Sequence, residues 1–245
     1  TNNVTFIAIN GLVGLSLAPE SWMATLPVMG YVVGGALSTG LVSKSQQRWG
    51  RKGSFQLGLL VALLSAALGA FAVFTQSFWL LVTATLVAGY YSANGQLYRF
   101  AAAELCPPDF REKAVSLVMA GGLIGAIIGP NLAIHTKSLF GVPFAGAYVA
   151  LMVVAVLSMG VMSLIHFPPA PAVKTDEEGG RSLGEIARQP IFVVAALAAA
   201  LGYGVMNLLM AATPLAMQVC GLSFEDTGWV LEWHVIGMFA PGFVT

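Results

Sequence analysis

Eight apolar stretches separated by short polar connections constrain this chain more than any motif in it. They cover residues 4–17, 22–43, 54–74, 78–99, 114–133, 143–165, 191–213 and 228–245. A hydrocarbon layer about 30 Å thick needs roughly 20 apolar residues at 1.5 Å each in a helix. The internal stretches meet that length. Composition agrees, because only 9% of residues are charged and 57% are hydrophobic, against about a quarter charged in soluble domains. Too few charges are present to cover a water-exposed surface. The sequence therefore predicts an all-α membrane protein embedded in a lipid bilayer. The first stretch is short, the last has no polar flank, and the chain opens on Thr1, so it reads as cut at both ends.

The charges sum to zero and give no case for a nucleic-acid partner. Their distribution says more. Lys44, Arg48, Arg51, Lys52, Arg99, Arg111, Lys113, Lys174, Arg181 and Arg188 all fall in connections on one side, and Lys137 alone falls on the other. Basic loops stay in the cytoplasm, which predicts that side as cytoplasmic. Trp22, Trp79 and Trp229 then lie at the outer interface and Trp49 at the inner one. Cys106 is expected inside and Cys220 outside, so the two cannot pair.

Residues 167–190 form the long polar interruption. Pro168, Pro169 and Pro171 open it, Asp176 to Gly180 continue it, and Pro190 ends it. This composition predicts a cytoplasmic linker, with a short surface helix over 181–188 capped by Ser182 and Glu185. Three regions follow: a six-helix transmembrane bundle over 1–166, the linker over 167–190, and the start of a second bundle over 191–245.

The connection after the second span reads Ser43-Lys44-Ser45-Gln46-Gln47-Arg48-Trp49-Gly50-Arg51-Lys52. Its second half resembles the major facilitator signature G-x-x-x-D-R-x-G-R-K. Ser43 and Gln47 stand where that family has Gly and Asp, which puts the family's cytoplasmic charge network in doubt here. The Pro107-Pro108-Asp109-Phe110-Arg111-Glu112-Lys113-Ala114 connection is also similar to the family's fourth-to-fifth loop. The resemblance implies a major facilitator fold, here a six-span N-terminal bundle plus the first two spans of the C-terminal one. In the fifth span Gly121, Gly122, Gly125, Gly129, Pro130 and Ala133 partly match the family's antiporter motif. Helix packing by small residues accounts for the same pattern.

Two pairs carry candidate chemistry. Met206 and Met210 lie four residues apart in the seventh span, and His234 and Met238 four apart in the eighth. Each pair shares one helix face, and thioether and imidazole ligands suit monovalent copper better than oxygen-seeking metals. With the seventh span running outward and the eighth inward, Met206 and His234 come to equal depth, about 10 Å below the outer surface. Met217 and Cys220 would be entry ligands in the loop above. The alternative reading is packing: Met fills apolar gaps, and an intramembrane His can simply bond a neighbouring helix.

These pairs resemble those of the CcoA-like copper importers, a bacterial branch of the major facilitator superfamily. The flanking Tyr98-Arg99-Phe100-Ala101-Ala102-Ala103-Glu104, Gly202-Tyr203-Gly204-Val205-Met206-Asn207 and Trp233-His234-Val235-Ile236-Gly237-Met238-Phe239-Ala240-Pro241 are similar as well. The resemblance implies import of copper through the inner membrane for haem–copper oxidase assembly, with Met206, Met210, His234 and Met238 as ligands. Copper is then transported cargo and not a cofactor, and copper-handling or oxidase-assembly proteins are the implied partners. Relatives of that branch include riboflavin importers, so a small organic cargo is the alternative, with Tyr90, Tyr91, Asn94, Gln96 and Tyr98 of the fourth span as its wall. Glu232 reads either as a proton-coupling carboxylate or as a pairing group between helices. Glu104 and Arg99 read as pairing or snorkelling groups. The sequence contains no P-loop and no nucleophile–base pattern, so no enzyme activity is expected.

Overall fold

The computed structural model describes residues 2–167 and 183–240, and all regular secondary structure among them is helical. The chain runs as α1 (Asn2–Leu17), a 3-10 turn (Ser21–Thr25), α2 (Leu26–Phe74), α3 (Phe78–Gly95), α4 (Tyr98–Glu104), a 3-10 turn (Pro108–Phe110), α5 (Arg111–Thr136), α6 (Ala145–Leu164), α7 (Leu183–Ala187), α8 (Pro190–Val219) and α9 (Phe224–Phe239). Helices α2, α5, α6 and α8 are long and apolar enough to cross a membrane. Each apolar stretch of the sequence falls on a helix. The second and third share α2, and the fourth is split between α3 and α4 by a turn at Gln96. Most of the expected linker, with Pro168, Lys174, Arg181 and the proposed Ser182 cap, lies outside the described residues.

Helix α2 is two limbs joined at Gly50, whose φ of 68° and ψ of 179° break the helix. A side chain is strained there, which is the physical reason for Gly in the Arg-x-Gly-Arg-Lys motif. Beside this turn the limbs are held together by the Ser45 and Ser54 hydroxyls, 2.6 Å apart. Ser54 donates to Asn94 Oδ1 at 2.9 Å, and the Tyr90 hydroxyl donates to Ser45 at 2.9 Å. Both serines and Asn94 are buried, so this network fixes α3 against both limbs where an unpaired polar group would be costly. Higher up, α3 and the first limb approach so closely that a Cβ on Gly89 would lie 2.2 Å from the Gly34 backbone.

Deep in the bundle, Tyr148 of α6 donates to Asn10 Oδ1 of α1 at 2.8 Å. Its ring packs with Phe6, Ile9, Val13 and Leu151. The second limb of α2 meets α6 through Lys52 Nζ and Gln56 Nε2, which donate to the Ser163 and Met159 carbonyls at 2.6 and 2.9 Å. Gln47 is exposed in place of the family's Asp, yet a charge contact persists without it. Arg51 Nε donates to Glu104 Oε2 at 3.0 Å, the guanidinium bonds the second carboxylate oxygen, and it also donates to Gln46. The pairing expected of Glu104 is thus with Arg51. Arg99 instead lies 5.0 Å from the ring centre of Phe100.

Helices α8 and α9 dock on the six-helix group through α1 and α5. The small residues of α5 serve its packing against α1, the core of the six-helix group and α9. Ala126 and Ala133 are fully buried, the Gly129 carbonyl accepts from Thr5 Oγ1 at 2.9 Å, and Gly122 faces the Phe239 ring. The Trp residues expected at the interfaces, Trp22, Trp49, Trp79 and Trp229, are all exposed. The end carrying Arg51 is the basic end, and the opposite one is the end that the charge asymmetry predicts to be outer.

Candidate functional site

A cavity of about 650 Å³ lies between the first limb of α2, α3 and α8. This lies within the range of roughly 300–1,000 Å³ seen for small-molecule sites. The α2 wall is a stripe at helical spacing: Tyr31, Gly35, Thr39, Val42 and Gln46, ending at Arg51 beyond the turn. Over residues 31–46 that stripe is about 22 Å long, so the cavity runs from the membrane interior to the basic end. Ser92 and Ala93 of α3 and Gln96 in the turn that follows it face it, and Ala199 and Tyr203 of α8 close the third side. The lining is therefore apolar and aromatic with scattered hydroxyl and amide groups, and the Arg51 guanidinium at its mouth is held by Glu104 and Gln46.

Of the five polar residues singled out in the fourth span, Gln96 lines this cavity. Tyr90 and Asn94 are engaged in the serine network, and the Tyr98 ring stacks edge-on against Phe55 at 4.7 Å. Tyr91 borders a minute pocket of about 10 Å³ shared with Phe6 and Tyr31. Tyr31, Thr39, Ser92 and Tyr203 were not foreseen. The signal was present on α2, where small and polar residues recur every three or four positions in an otherwise apolar span.

The proposed metal ligands are distributed differently. Met210 is 4% exposed in an apolar cluster with Ala126 and Val235, against which Val4, Ile7, Ile236 and Phe239 pack. Met206 is half-buried one turn away, and Met238 is 42% exposed. His234 is half-buried, and its Nε2 is buried with no hydrogen-bond partner among the described residues. The structure thus brings Met210 against the residue next to His234 and leaves Met238 on an exposed face. Met217 and Cys220 do not lie in a loop as expected. Helix α8 continues through Pro214 to Val219, so Met217 is inside it and Cys220 caps it. Pro214 lacks an N–H and leaves the Met210 carbonyl without its usual donor, but the helix carries on past it. Among the described residues no three His, Cys, Asp or Glu side chains gather as a metal site.

Glu232 is partly buried, and Asn131 Nδ2 of α5 donates to its carboxylate at 3.3 Å. This is the cross-helix pairing of the two readings given above. At the start of α9, Ser223 and Asp226 form a reciprocal capping box. The Ser223 hydroxyl and backbone N–H hold the Asp226 carboxyl below the usual range, since both bonds favour its charged form.

The Riboflavin transporter RfnT of Brucella anthropi is 36% identical over 244 residues, covering 98% of this chain and 61% of that protein. Two uncharacterized MFS-type transporters of Bacillus subtilis, YddS and YdeG, are each 27% identical over 98% of this chain, covering 58% and 59% of their own lengths. The chain therefore spans about three-fifths of the length of the curated relatives it matches. No solved structure matches it. None of these relatives is named for copper transport. The profile of the Major Facilitator Superfamily matches residues 1–244, and with this all-helical, multi-pass architecture the chain belongs to the major facilitator superfamily of membrane transporters.

Proposed function

We propose that the transporter to which this chain belongs carries a small organic molecule of the flavin class across a bacterial plasma membrane by alternating access. The observation that supports this reading is the 650 Å³ cavity with Tyr31 and Tyr203 on opposing helices and Ser92 and Gln96 between them. A flavin presents flat apolar faces to aromatic rings and heteroatoms at its edges to hydroxyl and amide groups. The named cargo of a 36% identical relative is riboflavin, which points the same way. Rocking of the two helical groups around such a cavity would expose it alternately to either side.

The test is uptake of riboflavin by the complete protein in cells unable to synthesise it. Expression should restore growth at limiting riboflavin. Tyr203→Ala should reduce uptake about threefold to tenfold, the value of one aromatic contact. Restored copper accumulation without riboflavin uptake would overturn the reading.

Copper is the second reading, and one observation favours it: the buried, unpartnered Nε2 of His234 in the same membrane segment as Met238. Under this reading Met206, Met210, His234 and Met238 pass a monovalent ion inward, with Met217 and Cys220 receiving it and oxidase-assembly proteins as downstream partners. Its test is copper uptake at limiting supply in His234→Ala and Met210→Ala, with Met152→Ala as the control outside both motifs.

A further inference from the structure

At the outer end, the connection between α5 and α6 meets the first turn of α9 through one cation and two rings. Lys137 places its Nζ 5.3 Å from the ring centre of Phe144 and 5.1 Å from that of Phe224. The two rings meet edge to face, 5.3 Å apart at 85°. Phe144 is anchored in the core of the six-helix group and takes a left-handed conformation, φ 66°. A bulky residue holds that conformation only where its surroundings impose it. The Phe144 N–H donates to the Lys137 carbonyl at 2.8 Å, so the residue carrying the cation also fixes the strained ring. Phe224 belongs to α9, which follows the 168–182 segment. Among the described residues no carboxylate pairs with Lys137, the one Lys or Arg that the charge pattern of the sequence places on the outer side. Its charge rests on two rings, one from each helical group.

The contact borders a smaller cleft of about 240 Å³, lined by Leu12, Ser16, Pro214, Gln218, Leu222 and Thr227 besides the latch residues. Thr227 is only 2% exposed on its floor. The large cavity, by contrast, reaches Arg51 at the basic end. The two helical groups thus touch at the outer end where the large cavity parts them towards the basic end, and a transporter working by alternating access must part α9 from the α5–α6 turn to admit cargo from outside.

We infer that Lys137, Phe144 and Phe224 form the outer gate: a cation–π latch that holds this end shut and sets the balance between the two access states. The inference rests on the alternating-access part of the reading above and is independent of cargo. Two ring contacts to one cation are worth a shift of roughly threefold to tenfold in that balance.

The test uses the complete transporter in sealed vesicles of both orientations, with every native Cys, Cys106 and Cys220 among them, replaced by Ser and a single reporter introduced as Thr227→Cys or Thr39→Cys. A membrane-impermeant maleimide reads the outer end at position 227 and the basic end at position 39. Lys137→Gln and Phe224→Leu should each speed labelling at position 227 about threefold to tenfold and slow labelling at position 39. Lys137→Arg, which keeps a cation over both rings, should label like the parent. Faster labelling at 227 with no change at 39 would mean only local loosening and would overturn the gate. Parental rates at both positions would overturn it as well. Because labelling needs no cargo, failure of riboflavin uptake leaves this test intact.

Discussion

Substituting Gly89 by Ala tests the closest helix approach in the molecule. A Cβ at Gly89 would lie 2.2 Å from the Gly34 carbonyl carbon and 2.2 Å from the Gly35 nitrogen. A relaxed contact needs about 3.5 Å, so α3 and the first limb of α2 must separate by about 1.3 Å. The atoms in the way are backbone and cannot rotate aside. Overpacking of this kind costs typically 1–3 kcal/mol, and rigid neighbours place this site at the upper end. Alanine recovers about 1 kcal/mol over glycine in helix propensity, leaving a net loss of about 2 kcal/mol. Gly40 supplies the control, because a Cβ there meets nothing within 4 Å and Gly40→Ala should gain up to about 1 kcal/mol. The two substitutions are chemically identical and should move stability in opposite directions. Unfolding midpoints of the purified transporter in one detergent measure the difference, at roughly 2–4 °C per kcal/mol for a chain of this size. Gly35 and Ser92 line the large cavity beside this contact, so Gly89→Ala should also weaken cargo binding. Equal midpoints for the two variants would refute the argument from contact.

Three further expectations follow from particular contacts. The Arg51–Glu104 pair has side chains 29% and 51% exposed, so its coupling in a double-mutant cycle with Arg51→Ala and Glu104→Ala should be at most about 1 kcal/mol. A coupling above 2 kcal/mol would show that it acts as a buried pair. The Asp226 carboxyl is held below its ordinary value of 3.8, so the cap it forms on α9 is fully present above that value and lost as pH falls through the lower, folded one. Amide exchange in the first turn of α9 should therefore rise only in strong acid in the parent, and already at neutral pH in Ser223→Ala. The charge asymmetry predicts that Glu178→Cys is shielded from an impermeant maleimide in intact cells, and rapid labelling there would reverse the orientation.

Much of the fold was legible because lipid leaves so few solutions. A span must satisfy its own backbone and stay apolar for about 20 residues, so span positions follow from hydropathy. Span ends follow less well, since they depend on local chemistry that hydropathy averages away. The span over 191–213 was expected to end in a loop, yet α8 continues through Pro214 to Val219. The Met210 carbonyl can be left without a donor, and a proline's ring is tolerated, more readily than one turn of helix is given up near an interface. The turn at Gly50 was marked by a motif whose glycine the backbone requires, whereas the Arg51–Glu104 contact was not readable. Once Gln47 replaced the motif's Asp, nothing in the pattern indicated that Glu104, 53 residues beyond Arg51, would supply the carboxylate.

The site was less legible for a reason that also bears on cargo. Motif reading favours residues paired on one helix, as Met206 with Met210 and His234 with Met238 are, because four-residue spacing guarantees a shared face. A cavity is made instead by single residues from several helices, and Tyr31, Ser92 and Tyr203 carry no mutual spacing in the sequence. The two candidates also ask different things of the protein. A metal ion needs several donors converging in one environment, and here Met210 sits inside an apolar cluster while Met238 is 42% exposed. An organic molecule needs volume with aromatic walls and a few polar groups, and the cavity between α2, α3 and α8 offers these without rearrangement. For this reason Tyr31 and Tyr203 are better first targets for mutagenesis than the more conspicuous Met and His pairs.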